Sequence, residues 1–265
     1  MTGEPDAVAA FLAWAERDRG RSPHTLTRYR ATLAQIPDPI DATIEDIEAW
    51  WATRYDLSPA TRANELACLR SFYAWATRFD LRADDPTRRL IFPKVPNRLP
   101  RMVGRSDFER LLGEATADEP DLRRAYALGG YGGLRVSECA SLDWRDVDLE
   151  ARRLYVRGKG RKERPVPINN LLLDHLLPRG KGNVVRPGRP YTASALQRRV
   201  NRHMKRNGVP GTFHDFRKRG ASIILSKGGN PVAVQRMFGW SSMETVMSYA
   251  VVGDSELDRI AEMLT

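Results

Sequence analysis

Residues 212–249 read T-F-H-D-F-R-K-R-G-A-S-I-I-L-S-K-G-G-N-P-V-A-V-Q-R-M-F-G-W-S-S-M-E-T-V-M-S-Y. His214 and Arg217 are three apart, so on a helix they share one face. The dense charge of Asp215, Arg217, Lys218 and Arg219 precedes an apolar run, Ala221 to Leu225. Gly228-Gly229 ends that helix, as glycine does just past a C-cap. Asn230-Pro231 opens another, with Asn as N-cap and Pro at the first helical position. Val232, Val234, Met237 and Phe238 are its expected inward residues. Trp240 follows the stop at Gly239, and Tyr249 is expected on a further short helix. Three consecutive helices joined by tight turns thus bring a His, an Arg, a Trp and a Tyr toward one point. Taken singly, each has a plain structural reading as a cap, a core ring or packing.

Upstream, Gly132-Gly133 breaks a helix and Leu134 is expected to open a new one. Arg135 then sits in its first turn with Glu138 on the same face. An arginine at such a break can lie against a bound phosphate, or form a surface pair with Glu138. The β signal lies over 152–168, where Leu154 and Val156 alternate, as do Val166 and Ile168. Gly158-Lys159-Gly160 reads as the hairpin tip, with Lys159 projecting from it. Arg161, Lys162 and Arg164 read as phosphate binders or solvated charges, and Pro165 and Pro167 suit an edge strand. Residues 192–207 form a two-faced helix, with Leu196, Val200 and Met204 inward and Arg198, Arg202, Lys205 and Arg206 mostly opposite. Such a helix is a candidate for lying along a major groove.

Residues 1–90 read as all-helical. Four segments are marked by Ser22-Pro23, by a Thr43/Asp46 capping box and by Ser58-Pro59. Basic residues such as Arg28, Arg62 and Arg70 either meet phosphates or line a solvated face. A proline- and arginine-rich run follows, with Pro93, Pro96, Pro100 and Arg101. It reads as a stiff linker over 91–104 before a second domain, 105–265. There Ser106-Asp107 is the expected cap of the first helix. After Tyr249, Asp254-Ser255 caps a last short amphipathic helix, which needs a groove to bury its apolar face.

The 265 residues carry a formal net charge of +10, with 42% hydrophobic and 29% charged residues. That composition is globular, and the charge favours a polyanion, nucleic acid first. No stretch approaches the ~18 apolar residues of a membrane span. The histidines at 24, 175, 203 and 214 are scattered, and Cys68 and Cys139 alone cannot build a zinc site.

Taken in order, G-G-L-R-V-S-E-C-A-S-L-D-W-R-D-V-D (132–148), G-K-G-R-K-E-R-P-V-P-I (158–168), H-D-F-R (214–217), F-G-W (238–240) and Tyr249 resemble the tyrosine recombinase (phage integrase) family. The resemblance implies a mainly α fold with a small β-sheet (α+β). It pairs a helical, SAM-like core-binding domain with a catalytic domain, the two forming a C-shaped DNA clamp. It implies a catalytic set of Arg135, Lys159, His214, Arg217, Trp240 and Tyr249, with Glu138 fixing Arg135. DNA contacts are expected from Arg28, Arg62, Arg101, Arg161, Arg198, Arg202 and Lys205. Neither a metal nor another cofactor is expected. Partners would be double-stranded DNA core sites and further copies of the chain, a dimer on a core site and a tetramer in synapsis, joined through residues 254–265. A cytoplasmic, nucleoid-associated location follows, and the short form, without an arm-binding domain, is expected. Many relatives have His where Trp240 stands. F-G-W and Lys218-Arg219 lean the reading toward a mobile-element integrase rather than an Xer-type dimer resolvase. A type IB topoisomerase-like enzyme and an inactive DNA-binding regulator are the other readings.

Overall fold

The computed structural model describes residues 6–96, 102–115, 119–158 and 163–249. The chain divides into two compact units, 1–98 and 99–265.

The first unit holds four helices: α1 (Ala7–Arg17), α2 (Pro23–Leu33), α3 (Ile44–Ala52) and α4 (Pro59–Arg78). Their starts follow the sequence signals. The Ser22 and Ser58 hydroxyls accept from the amides of Thr25 and Thr61, each with Pro at the helix start. Thr43 and Asp46 form the reciprocal capping box. The core is aromatic. Phe11 stacks on Tyr29 at 5.5 Å between ring centroids and meets Phe72 edge-on at 5.4 Å. Packing of this kind adds to the area term of burial. Thr87 and Leu90 are buried as well, and Arg70 donates to the Leu90 carbonyl at 2.6 Å.

The second unit begins with α5 (Arg105–Glu114), α6 (Pro120–Gly130) and α7 (Val136–Ser141). A short sheet follows, of β1 (Val147–Asp148), β2 (Arg153–Arg157) and β3 (Glu163–Pro167). Then come α8 (Asn170–Leu176), α9 (Ala193–Arg206), α10 (Phe213–Ser226), α11 (Pro231–Phe238) and α12 (Met243–Met247). The sheet is antiparallel in the order β1-β2-β3, so the proline-bearing β3 is an edge among the described residues. Its register pairs Leu154 with Val166 and Val156 with Arg164. Helix α6 is buried at the centre; its Tyr126 and Phe108 of α5 both lie against Phe216 of α10, at 5.1 and 5.6 Å. Gly129 lets α10 approach, since a Cβ there would stand 2.8 Å from the Phe213 ring.

Five local expectations change. Helix α5 starts at Arg105 with Gly104 as N-cap, so Ser106 and Asp107 lie in its first turn; Asp107 pairs with Arg110 at 2.8 Å. Val103 joins the core of the second unit, which shortens the expected linker at that end. Arg135 is the extended N-cap of α7 rather than a first-turn residue, because left-handed Gly133 (φ +64°) delays the helix. Val232 is exposed. Val234 and Phe238 are four apart and form the buried stripe of α11, while Val232 lies two residues off it. Tyr249 lies just past α12, whose C-cap is Ser248, and its amide donates to the Val246 carbonyl at 3.0 Å.

The aromatic core of the first unit should behave as one cooperative element. Phe72→Ala leaves a cavity among Phe11, Tyr73 and Trp75 and is expected to cost about 3–5 kcal/mol. Urea denaturation followed by tryptophan fluorescence checks this.

Candidate active site

The site is built around one buried carboxylate. Glu138, in the first turn of α7 and 5% exposed, accepts from the Arg135 amide at 2.7 Å and from Arg135 Nη1 at 2.9 Å. Arg164, on β3, closes a two-point fork on the same carboxylate, with Nη1 and Nη2 at 2.8 and 2.9 Å. Arg217 Nη1, on α10, stands 3.9 Å from Glu138 Oε2. Three guanidiniums from three elements therefore share one negative charge.

A second acceptor set is the C-terminal end of α11. That helix closes with Gly239 in the left-handed conformation (φ +58°) and with the Trp240 amide bonded back to the Gln235 carbonyl. Its last carbonyls point outward with no helical partner. Three consecutive ones are taken by three different arginines. Met237 O accepts from Arg164 Nε at 2.8 Å, Phe238 O accepts from Arg217 Nη2, and Gly239 O accepts from Arg135 Nη2 at 2.7 Å. The negative end of the helix dipole favours this cationic cluster. Arg217 Nη1 also donates to the carbonyl of Gly133, where a Cβ would stand 2.6 Å from the Phe238 ring.

The electrostatics follow from this crowding. Burial alone would raise the Glu138 pKa. The Arg164 hydrogen bonds, the Arg135 amide and both positive charges outweigh it and hold the carboxyl below its ordinary range. Burial, and after it the like charge of Arg135, lowers the Arg217 pKa to about 9, so the group remains charged at neutral pH. Arg217 is fully buried, and its Nε has no hydrogen-bond partner among the described residues. Its guanidinium lies 5.2 Å from the Phe238 ring centroid and 5.1 Å from that of Trp240. Trp240 is stacked between Phe238, at 4.9 Å, and Tyr249, at 5.2 Å. Tyr249 itself is buried, 7% exposed, in a small apolar cluster with Ala221, Val234, Phe238 and Val246. The tyrosine is thus one ring away from the Arg217 guanidinium.

His214 lies in the first turn of α10, where Asp215 caps the Thr212 amide at 2.7 Å and holds Lys218 Nζ at 2.7 Å. The imidazole reaches solvent. Desolvation by the surrounding protein, then the charges of Lys218 and Arg217, lower its pKa from the usual value.

The structure thus brings Arg135, Glu138, Arg217, Trp240 and Tyr249 together, with His214 on the helix that carries Arg217. Lys159, Arg101, Arg161 and residues 254–265 lie outside the described residues. On α9, Arg198, Arg202 and Lys205 are exposed opposite buried Leu196, Val200 and Met204. Arg199 is instead tied to Asp121 and Glu119, and His203 is buried against the Tyr126 hydroxyl at 2.8 Å. Arg28 is exposed. Arg62 is half-buried and packs over Trp51 and Tyr55 at 4.9 and 4.5 Å. Arg164 corrects the sequence reading most. It is not a solvated charge: its side chain is 12% exposed, all three nitrogens donate within the protein, and its two-point fork is occupied by Glu138. The signal was present, since strand alternation puts residue 164 on the face of Val166 and Ile168.

A helical unit followed by an α+β unit with paired arginines near Tyr249 is an arrangement suited to DNA strand transfer. Comparison with known proteins agrees. Residues 102–256 match the phage integrase family, and residues 8–79 match its N-terminal SAM-like domain. Tyrosine recombinase XerC of Corynebacterium efficiens is 34% identical, the alignment covering 95% of this chain and 88% of the relative. Tyrosine recombinase XerD of Proteus mirabilis is 31% identical over 94% and 90%. Among solved structures, the Tn1549 transposon integrase with a circular intermediate DNA superposes with a TM-score of 0.74 at 19% identity, covering 97% of this chain and 99% of that one. A lambda integrase dimer bound to a core site gives 0.73 at 20%, covering 92% and 77%. The chain belongs to the phage integrase family. It is a tyrosine recombinase, an enzyme of the class that acts through a covalent tyrosine–DNA intermediate.

Removing the shared carboxylate tests this arrangement. Glu138→Gln leaves buried guanidiniums uncompensated and is expected to cost about 3–5 kcal/mol. Because the folded pKa is depressed, the unfolded chain binds more protons. The contribution of Glu138 is therefore fully present above the unfolded carboxyl pKa of about 4.3 and is lost as pH falls through the lower folded value. Denaturation curves between pH 7 and 3 should show a part of the acid-side loss that the Gln variant lacks.

Proposed function

We propose that this chain cuts and rejoins duplex DNA at a specific core site, with Tyr249 as nucleophile and Arg135 and Arg217 as the phosphate-binding pair. The observation that carries the reading is the charge excess at the site: three guanidiniums stand against one carboxylate and the partial charge of a helix end. A phosphodiester brings one negative charge, and attack by a phenolate raises it to two, so the excess is complementary to the transition state. Arg135 remains partly exposed, with Nε uncommitted. The unpartnered Arg217 Nε is a second donor suited to a non-bridging oxygen. Arg217 is closed off by the Trp240–Tyr249 stack, so phosphate reaches it once that stack opens.

A phenol with a pKa near 10 is a weak nucleophile at neutral pH. His214, held neutral by its lowered pKa, accepts the Tyr249 proton as the Oη–P bond forms. The P–O5′ bond breaks, and the leaving oxygen takes a proton, a role the family pattern gives to Lys159. The products are a 3′-phosphotyrosine and a free 5′-hydroxyl. Attack by the 5′-hydroxyl of a second duplex reverses the step and joins new partners. Trp240 packs beside the phosphate and offers its indole N–H. The exposed cations of α9, with Arg28 in the helical unit, track the DNA backbone. A dimer on a core site and a tetramer in synapsis, in a cytoplasmic, nucleoid-bound setting, complete the reading.

Two biological roles use this chemistry. F-G-W and Lys218-Arg219 support a mobile-element integrase. The XerC and XerD names of relatives above 30% identity support resolution of chromosome or plasmid dimers. Recombination between two identical directly repeated sites favours the second. A requirement for two dissimilar sites favours the first.

A nicked duplex library with a randomised core, analysed under denaturing conditions, tests the reaction. Unaltered protein should give a covalent adduct that Tyr249→Phe cannot form, with non-covalent binding retained. Joining between differently labelled duplexes separates a recombinase from a topoisomerase-like enzyme, and binding without capture would end the enzymatic reading. The single-turnover cleavage rate should have its acid limb below pH 6.5, since the His214 pKa is shifted down. His214→Gln should remove that limb and slow cleavage about 10²-fold.

A further inference from the structure

The geometry points to Arg164 as a positioning residue for strand cleavage, one that acts only through Glu138 and the α11 terminus. It rests on the reading of Arg135 and Arg217 as the phosphate-binding pair. Three features of the site converge on it. First, every nitrogen of Arg164 already donates within the protein. Nη1 and Nη2 are on Glu138 and Nε is on the Met237 carbonyl, and its side chain is only 12% exposed. Its two-point fork is thus occupied by Glu138 and not open to a phosphate. Second, its fork fixes the plane of the Glu138 carboxylate, and that same carboxylate holds Arg135 through Nη1 and the backbone amide. A planar two-point fork sets an orientation that a point-charge ammonium does not. Third, Arg164 ties β3 to the turn that presents Trp240. Its Nε bonds Met237 O, and a Cβ on Gly239 would stand 3.1 Å from its Cδ.

The register of β3 makes this possible. Arg164 pairs with buried Val156 and shares the inner face with Val166 and Ile168. A one-residue slip of β3 would turn Arg164 to the opposite face and leave the carboxylate without its fork. The same residue thereby couples the β2–β3 ribbon to the Arg135 guanidinium and to the Trp240 turn.

The test is a cycle of Arg164→Gln, Glu138→Gln and the double variant, with Arg164→Lys alongside. Readouts are the single-turnover cleavage rate on saturating nicked substrate, non-covalent DNA affinity and melting temperature. Arg164→Gln should cut the cleavage rate about 10²-fold, the loss that a misplacement near 1 Å produces. DNA affinity should change less than threefold. Arg164→Lys, which keeps the charge and loses the fork, should fold like the unaltered chain and still cleave at least tenfold more slowly. The double variant should lose less than the product of the two single losses, because the route through Glu138 is common to both.

Multiplicative losses in the double variant, or Lys-variant cleavage at the unaltered rate, would overturn the role. So would a loss confined to affinity and melting. Failure of the unaltered chain to form any adduct overturns the recombinase reading and this one together. Adduct formation by the unaltered chain with an undiminished Arg164→Gln rate overturns only the role of Arg164.

Discussion

The Glu138 carboxylate, shared among Arg135, Arg164 and Arg217, is the interaction on which the second unit depends. Burying so much like charge is unfavourable unless every group finds a compensating partner. The fold supplies the partners in two places, the carboxylate on α7 and the bare carbonyls at the end of α11. The elements that carry the arginines are thereby pinned to one another: α7 by Arg135, β3 by Arg164 and α10 by Arg217. The same arrangement leaves positive charge in excess. Stability and the proposed function thus draw on one electrostatic device, since the excess positive charge is what a bound phosphate would relieve.

The aromatic ladder of Phe238, Trp240 and Tyr249 is the apolar counterpart of that device. It covers the Arg217 guanidinium and keeps water from it. It also stores the tyrosine against the tryptophan, within one ring of the group that would orient its target. Gly133 and Gly239, both left-handed, make the ladder possible. One permits the approach of the Phe238 ring, and the other turns the chain from α11 into Trp240.

Much of this was legible in the sequence. Helix starts marked by Ser-Pro, Asn-Pro and the Thr43/Asp46 box appear where they were expected, because capping is a local effect. The ordered motifs from Gly132 to Tyr249 indicated the family, and with it Arg135, Glu138, Arg217, Trp240 and Tyr249. What escaped was set by tertiary contact. Arg164 sat in a run of basic residues and read as one of them, although strand alternation faced it inward. The Arg135–Glu138 pair was visible as a spacing, but the backbone bond that makes it a cap depends on the Gly133 turn. The packing of Arg62 over Trp51 and Tyr55 likewise depends on how the helices of the first unit meet. Val232 shows the limit of counting apolar residues without fixing the phase of a short helix.

The end of α11 hands its carbonyls to three arginines in strict succession, one per residue. Those acceptors belong to the main chain, so the side chain at 237 can change among apolar types without disturbing the pairing. Length is another matter. An insertion or deletion between 236 and 240 would shift the reading frame of the acceptors by about 100° per residue and reassign all three cations at once. In descendants of this chain, that turn should therefore remain fixed in length and keep its left-handed glycine.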